Sequence, residues 1–311
     1  METVRQSFDL HTDAEVTLEV NPNAVEEAYF AELRQSGVNR LSVGMQSAHE
    51  AELRLMARDH RADRLPRVIN AIRSAGFDNF SLDLIFALPD QTLTAWQHSV
   101  QTAIELGPQH LSMYSLELED GTPMTREVQR GRLPLPDEEL AAEMYEAADH
   151  LAQRAGIYQY EISNWAKPGH ECRHNLQYWR YGPYLGIGAG AHGFIDGIRY
   201  QNVRAIPHYI ERSRHSVGAN TPYPLTATVE HYEAISPAAA MLEYLFTGLR
   251  LVRDGVRYSD FAARFGVTLE SVYGAALETL LGQGLLISEG DVLKIAPQAR
   301  LISNRIFYAL A

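Results

Sequence analysis

From Glu15 to Leu118 the chain alternates strand-period and helix-period runs, and this alternation limits the fold more than any other feature. Glu15–Val20 (EVTLEV) alternates with a period of two and stops at Asn21-Pro22. Asn23 stands three residues before Glu26, the spacing of a capping box, and predicts a helix to Ser36 that Gly37 ends. Val38–Val43 reads as the next strand, with Gly44–Gln46 as its exit loop. His49–Met56 reads as a short helix, and Arg64–Ala75 as a longer one with Leu65, Val68, Ile69 and Ile72 on one face. The clearest strand lies in Asn79–Thr92 (NFSLDLIFALPDQT). Phe80, Leu82, Leu84 and Phe86 alternate there with Ser81, Asp83 and Ile85 until Pro89-Asp90 breaks the run. A helix over about Thr94–Leu106 and a strand over Leu111–Leu118 follow. Four βα units in succession predict a parallel α/β sheet, and four parallel strands cannot close a barrel, so the sheet is open or incomplete. No GxGxxG follows the first strand, which argues against a dinucleotide-binding Rossmann domain.

Glu19, Gln46, Asp83 and Tyr114 fall at or just beyond successive strands, positions that converge on one rim of a parallel sheet. Arg58 follows the Gln46 loop closely enough to reach the same rim and offers a fork of donors for a carboxylate. A carboxylate inside an apolar strand is costly unless paired or bound, so Asp83 is either a salt-bridged interior residue or a ligand contact. Glu, Gln, Asp and Arg together suit a small zwitterion carrying a ribose. Unrelated buried networks are the alternative.

Pro134–Ala155, introduced by LPLPDEE, reads as a helix. Tyr158–His192 is dense in aromatics, glycine and histidine, the composition of an ordered functional loop and strand. Gly186, Gly188, Gly190 and Gly193 allow close approach of either a ligand or a packed neighbour. A polar stretch, residues 213–224, reads as a linker. Beyond it come helices over Met241–Leu251, Tyr258–Phe265 and Leu269–Leu281, then strands Leu285–Ser288 and Val292–Ile295 turning at Glu289-Gly290-Asp291. This is winged-helix order. DNA binding would need a basic third helix, whereas LESVYGAALETL is apolar and acidic, so a packing or partner-docking role is expected.

The 311 residues, 46% of them hydrophobic, allow two domains, and a net charge of -12 opposes nucleic acid as a partner. No run is apolar enough to span a membrane and no secretory signal opens the chain, so a cytoplasmic location is expected, with peripheral membrane association left open. Cys172 is the sole cysteine, and no HExxH pair occurs among the 12 histidines.

The runs EVTLEVNP, NRLSVGMQS, Arg58-Asp59-His60, SLDLIFALPDQT and LSMYSLELEDGTPM resemble the radical S-adenosylmethionine (SAM) proteins of the oxygen-independent coproporphyrinogen III oxidase group. YEISNWAKPGHECRHNLQYW and YLGIGAGAH resemble its heme chaperone branch, HemW, more specifically. The resemblance covers nearly the whole chain. It implies the last four βα units of a six-unit radical-SAM-type partial barrel over residues 1–225, with an HNxxYW and Gly-rich extension, and a C-terminal winged-helix-like domain over 226–311. It implies that Glu19 and Arg58 meet the methionyl part of SAM, that Gln46 and Asp83 lie nearer the ribose, and that Ile85 packs beside the adenosyl portion. It implies that His174, Asn175, Tyr178 and Trp179 form a heme motif with His174 as iron ligand. The function expected is heme binding for delivery to an acceptor protein. A homodimer is left open, and the alternative is a fragment of a coproporphyrinogen-oxidase-like enzyme, inactive as this chain.

Departures from the family are equally specific. The CxxxCxxC loop that holds a 4Fe–4S cluster and the GGGTP-like segment that follows it are absent, and one Cys cannot supply three thiolates. The chain therefore reads as truncated by two βα units, with one edge of EVTLEV left open unless Met1–Asp13 covers it and with low stability expected. Ala87 and Asp90 stand where the family reads glycine in GLPGQT, a change expected to alter the turn.

Overall fold

The computed structural model describes residues 1–23, 26–214 and 226–311. The expected linker over 213–224 and the domain limit at 225 fall almost entirely outside the described residues. Two compact units divide at Cys172, Met1–Cys172 and Arg173–Ala311.

The first unit opens with helix α1 (Glu2–Ser7), a segment in which the sequence shows no pattern. Strands β1 (Thr17–Val20), β2 (Arg40–Gln46), β3 (Phe80–Phe86) and β4 (His110–Ser115) then pair in parallel in chain order. The helices between them are α2 (Glu27–Gln35), α3 (Glu50–Leu55), α4 (Leu65–Ser74) and α5 (Leu93–Glu105). Helices α6 (Pro123–Gln129) and α7 (Glu138–Arg154) come next, and the hairpin β5 (Tyr158–Glu161) and β6 (Asn164–Ala166) completes a six-stranded sheet in the order β1-β2-β3-β4-β6-β5. β6 runs antiparallel to β4, so the far edge of the parallel strands is covered by a hairpin out of the segment expected to be loop and strand.

Among the described residues β1 pairs with β2 alone and is an edge, as the open-sheet expectation requires. The residues before it add no strand among those described. Asn39 ties them down instead, donating to the Ala14 carbonyl at 2.7 Å and accepting from the Val16 amide at 2.8 Å.

Period-two alternation sends Phe80, Leu82, Leu84 and Phe86 of β3 into a core shared with Phe30, Val68, Ile69, Ile72, Trp96 and Met144, all buried. The Trp96 indole N–H, which would be costly to bury unpaired, donates to the Met144 carbonyl at 2.7 Å. The other face of β3 carries Ser81, Asp83 and Ile85. Residues 24 and 25 of the expected Asn23–Glu26 capping box lie outside the described residues, and among those described Glu26 is itself the N-cap of α2 and makes no side-chain cap bond. Gly44–Gln46 is not an exit loop: β2 continues to Gln46 through a register shift after Val43.

The second unit holds α8 (Arg173–Trp179) and an antiparallel sheet of β7 (His192–Ile195), β8 (Ile198–Asn202) and β9 (Val229–Ala234), with α9 (Ile206–Arg212) after β8. Next come α10 (Pro237–Leu249), β10 (Val256–Arg257), α11 (Tyr258–Phe265), α12 (Leu269–Gly282), β11 (Leu286–Glu289), β12 (Val292–Ile295) and α13 (Ser303–Leu310). The strand order β10-β12-β11 behind three helices is a winged-helix arrangement; sequence reading missed β10, which is two residues long, as it missed β8 and β9. Gly186 and Gly193 serve packing within the chain. A Cβ on Gly186 would stand 2.2 Å from the His192 carbonyl oxygen, and one on Gly193 would stand 2.2 Å from the Tyr200 ring. Among the described residues no helix is long and apolar enough to cross a membrane.

Candidate functional site

Two groups of expected site residues stand in separate units. In the first unit, β1, β2 and β3 bring Glu19, Gln46 and Ile85 to the carboxyl half of neighbouring parallel strands, with Asp83 at the midpoint of β3. Glu19 pairs in register with Ser42, and Gln46 with Leu84. The Gln46 side chain is buried, and its backbone sits at φ 65°, the left-handed region that a non-glycine residue occupies only when its surroundings enforce it. The strand irregularity lies just before it, between Val43 and Gln46. Arg58 donates to the Asn21 side chain at 3.4 Å, just past the end of β1, and with Ile85 it lines a cavity of about 290 Å³. Tyr114 is exposed on β4, in register with Ile85.

Among the described residues no cation is salt-bridged to Asp83. Its carboxylate accepts from Ser42 Oγ at 2.9 and 3.0 Å and from Ser81 Oγ at 3.2 Å. Burial raises its pKa, against hydroxyls of Ser112, Ser42 and Ser81 and the charge of Arg40, which favour the anion. Ser81 Oγ also lies 2.8 Å from His110 Nδ1, whose Nε2 is 3.0 Å from the Tyr160 hydroxyl. Burial and Arg40 hold the His110 pKa well below its ordinary value, so the ring is neutral. This network was not visible in sequence reading, although the alternation His110, Ser112, Tyr114 along β4 is a signal that could have found it.

In the second unit, α8 carries the HNxxYW residues. His174 and Tyr178, four residues apart, share one face of the helix, with the Tyr178 hydroxyl 2.8 Å from His174 Nε2 and ring centroids 4.7 Å apart. Tyr178 packs edge-on against Tyr184 at 4.5 Å, and Tyr184 meets Phe194 at 6.4 Å. Tyr178, Trp179, Tyr184, Phe194 and Phe246 line a cavity of about 380 Å³. His174 is exposed and Asn175 beside it is half-buried. An imidazole against an aromatic hollow is a donor set that fits an apolar planar group with a metal at its centre.

A 4Fe–4S cluster does not fit these residues. Cys172 is buried with Sγ 3.6 Å from Glu15 Oε1, and no group of three or more His, Cys, Asp and Glu among the described residues could hold a metal ion.

The Radical SAM superfamily model matches residues 3–103, and the HemN C-terminal domain model matches 235–302. The heme chaperone HemW of Bacillus subtilis (strain 168) is 38% identical over 306 residues, covering 98% of this chain and 77% of the relative. HemW of Escherichia coli (strain K12) is 34% identical over 310 residues, with 98% and 77% covered. Among solved structures, coproporphyrinogen III oxidase HemN from Escherichia coli, described as a radical SAM enzyme, superposes with a TM-score of 0.81. It is 20% identical and covers 99% of this chain and 72% of its own, a likeness of fold. With a parallel α/β sheet, a winged-helix C-terminus and relatives above 30% identity along nearly its whole length, the chain belongs to the HemW family.

Proposed function

We propose that the chain binds heme through α8 and presents it to an acceptor protein, and that the first unit retains a pocket for S-adenosylmethionine. The observation that carries the heme reading is the exposed His174 imidazole packed on Tyr178 and, through it, on the aromatic hollow. His174 would hold heme through an imidazole nitrogen, and bound heme would supply an iron centre there. The residues do the rest: Tyr178, Tyr184 and Phe194 offer apolar surface to the macrocycle, and α8 fixes the imidazole at its first turn. The HemW names of the relatives point the same way.

For the SAM pocket, support comes from the donor set. Glu19 suits an ammonium, Arg58 a carboxylate, Gln46 and Asp83 ribose hydroxyls, and Ile85 an apolar ring face. The one cysteine of the chain cannot supply the three thiolates of a cluster that would cleave S-adenosylmethionine there. The same reading takes the chain as cytoplasmic.

Titration of the protein with hemin tests the heme site. A Soret shift that His174→Ala abolishes is the expected result, and a shift unchanged by that substitution removes His174 from the site. Calorimetric titration with S-adenosylmethionine tests the second pocket, with binding expected in the parent and lost in Arg58→Gln.

A further inference from the structure

Trp179 is a wall common to two cavities, one rich in aromatic rings with a single internally paired Arg199–Glu243 bridge at 2.7 Å, the other rich in cations. On one side lies the aromatic hollow of about 380 Å³ that it shares with Tyr178 and Tyr184. On the other is a groove of about 870 Å³ between α8, α10, α11 and β12. Arg180, Arg253, Arg257, Arg264 and Lys294 line that groove, against two carboxylates, Asp254 and Asp260. In a chain of net charge -12 this is a local reversal of sign, and low-dielectric walls focus such a field. The Trp179 Nε1 is buried and has no hydrogen-bond partner among the described residues, while the Arg250 guanidinium carbon stands 4.5 Å over its ring.

We propose that this groove receives the carboxylate edge of a planar, amphiphilic tetrapyrrole whose apolar body lies against the aromatic hollow. The proposal rests on the heme reading and adds to it the part of the ligand that is recognised by charge. A flat macrocycle bearing two propionates on one edge is apolar over its body and anionic at that edge, and the two cavities present those characters in the same order on either side of Trp179.

Several cations of the groove stand in ion pairs, Arg253 with Asp254 at 3.4 Å among them. Arg180 meets Asp254 at 3.3 Å, Arg257 meets Asp291 at 3.9 Å and Lys294 meets Glu289 at 3.0 Å. The Arg180 and Arg257 pairs are solvent-facing, each worth about 0–1 kcal/mol, so an incoming carboxylate can replace the partner at small cost. Arg264 is held differently. It donates to the Tyr181 carbonyl at 3.2 Å and lies over the rings of Tyr181 and Tyr244 at 5.0 and 5.5 Å, which fixes the guanidinium before any ligand arrives. A polyanion is a poorer match, because the acidic remainder of the chain repels an extended phosphate backbone.

The test compares iron protoporphyrin IX with its dimethyl ester, which keeps the ring and the iron and lacks both carboxylate charges, by Soret titration of the full chain. The parent is expected to bind the free acid about tenfold more tightly than the ester. In the Arg253→Gln/Arg257→Gln double variant the two constants are expected to converge through weaker binding of the acid, with circular dichroism unchanged. Raising the salt should weaken the acid complex and leave the ester complex as it is, a readout in the parent protein that needs no variant to fold. Equal affinity for acid and ester in the parent, with no salt effect, overturns the proposal and leaves the heme reading standing. Failure of both porphyrins to bind the parent overturns the heme reading, and this proposal with it.

Discussion

The Tyr178 hydroxyl lies 2.8 Å from Nε2 of His174, one helical turn away on α8. The exposed nitrogen that an iron would take is therefore already in a hydrogen bond, and ligation through Nε2 requires the hydroxyl to give way. Tyr178→Phe keeps the edge-on ring contact and removes the competitor. Because a hydrogen bond of this kind nets about 0.5–1.5 kcal/mol, the substitution is expected to lower the heme dissociation constant about two- to tenfold. Soret titration of parent and variant checks this. Weaker binding in the variant would mean that the hydroxyl helps to hold the imidazole for the metal.

Protonation of His110 sets a second prediction. Its folded pKa is held far below the ordinary 6.5 by burial, so the unfolded chain takes up a proton near pH 6.5 that the folded chain refuses. The stability this ring permits is complete above pH 6.5 and falls as the pH is lowered towards the depressed folded value, by up to about 1.4 kcal/mol per pH unit. His60, lowered chiefly by burial, acts in the same direction. Asp83 acts in the opposite sense, since its folded pKa is raised above 3.8. Urea unfolding between pH 7.5 and 5.5, limits of about one unit around the histidine range, is expected to show declining stability in the parent and a flatter profile in His110→Gln.

Asp83 separates charge from hydrogen bonding. Asp83→Ala leaves the hydroxyls of Ser42 and Ser81 without their shared acceptor, at a cost of about 1–3 kcal/mol. Asp83→Asn keeps an acceptor oxygen and sheds a charge whose burial is unfavourable, so its cost should be the smaller of the two. Chemical denaturation of both variants decides the point. An equal loss would show that the charge itself stabilises the sheet.

The turn after β3 carries the fourth prediction. Leu88 to Gln91 closes through a Gln91 amide to Leu88 carbonyl bond of 3.0 Å, with Pro89 at the second position and Asp90 at the third in the left-handed region at φ 61°. That is the position a type II turn reserves for glycine. Asp90 is exposed, so Asp90→Gly is expected to stabilise by about 0.5–1 kcal/mol. Ala87 has φ 58° but is buried, and its methyl group contributes about 0.8 kcal/mol that glycine would forfeit. Ala87→Gly should therefore be close to neutral. Thermal melts of the two variants, read side by side, test both the strain and the compensation.

Local periodicity determined much of this protein. The alternation in Phe80–Phe86 assigned one face to the core, the spacing of Leu65, Val68, Ile69 and Ile72 placed a helix against it, and ordered motifs from EVTLEVNP to YLGIGAGAH carried the family. These are near-neighbour properties, and the physics behind them is the period of each element. What the sequence could not contain is partnership between distant residues. That Asp83 is served by Ser42, 41 positions away, depends on strand order and register. That Ala87 and Asp90 adopt positive φ without glycine depends on the packing that holds the turn. That Trp179 stands between an aromatic hollow and a cationic groove depends on bringing Arg253, Arg257 and Lys294 to α8, because charge acts through space and only the folded chain sets those distances.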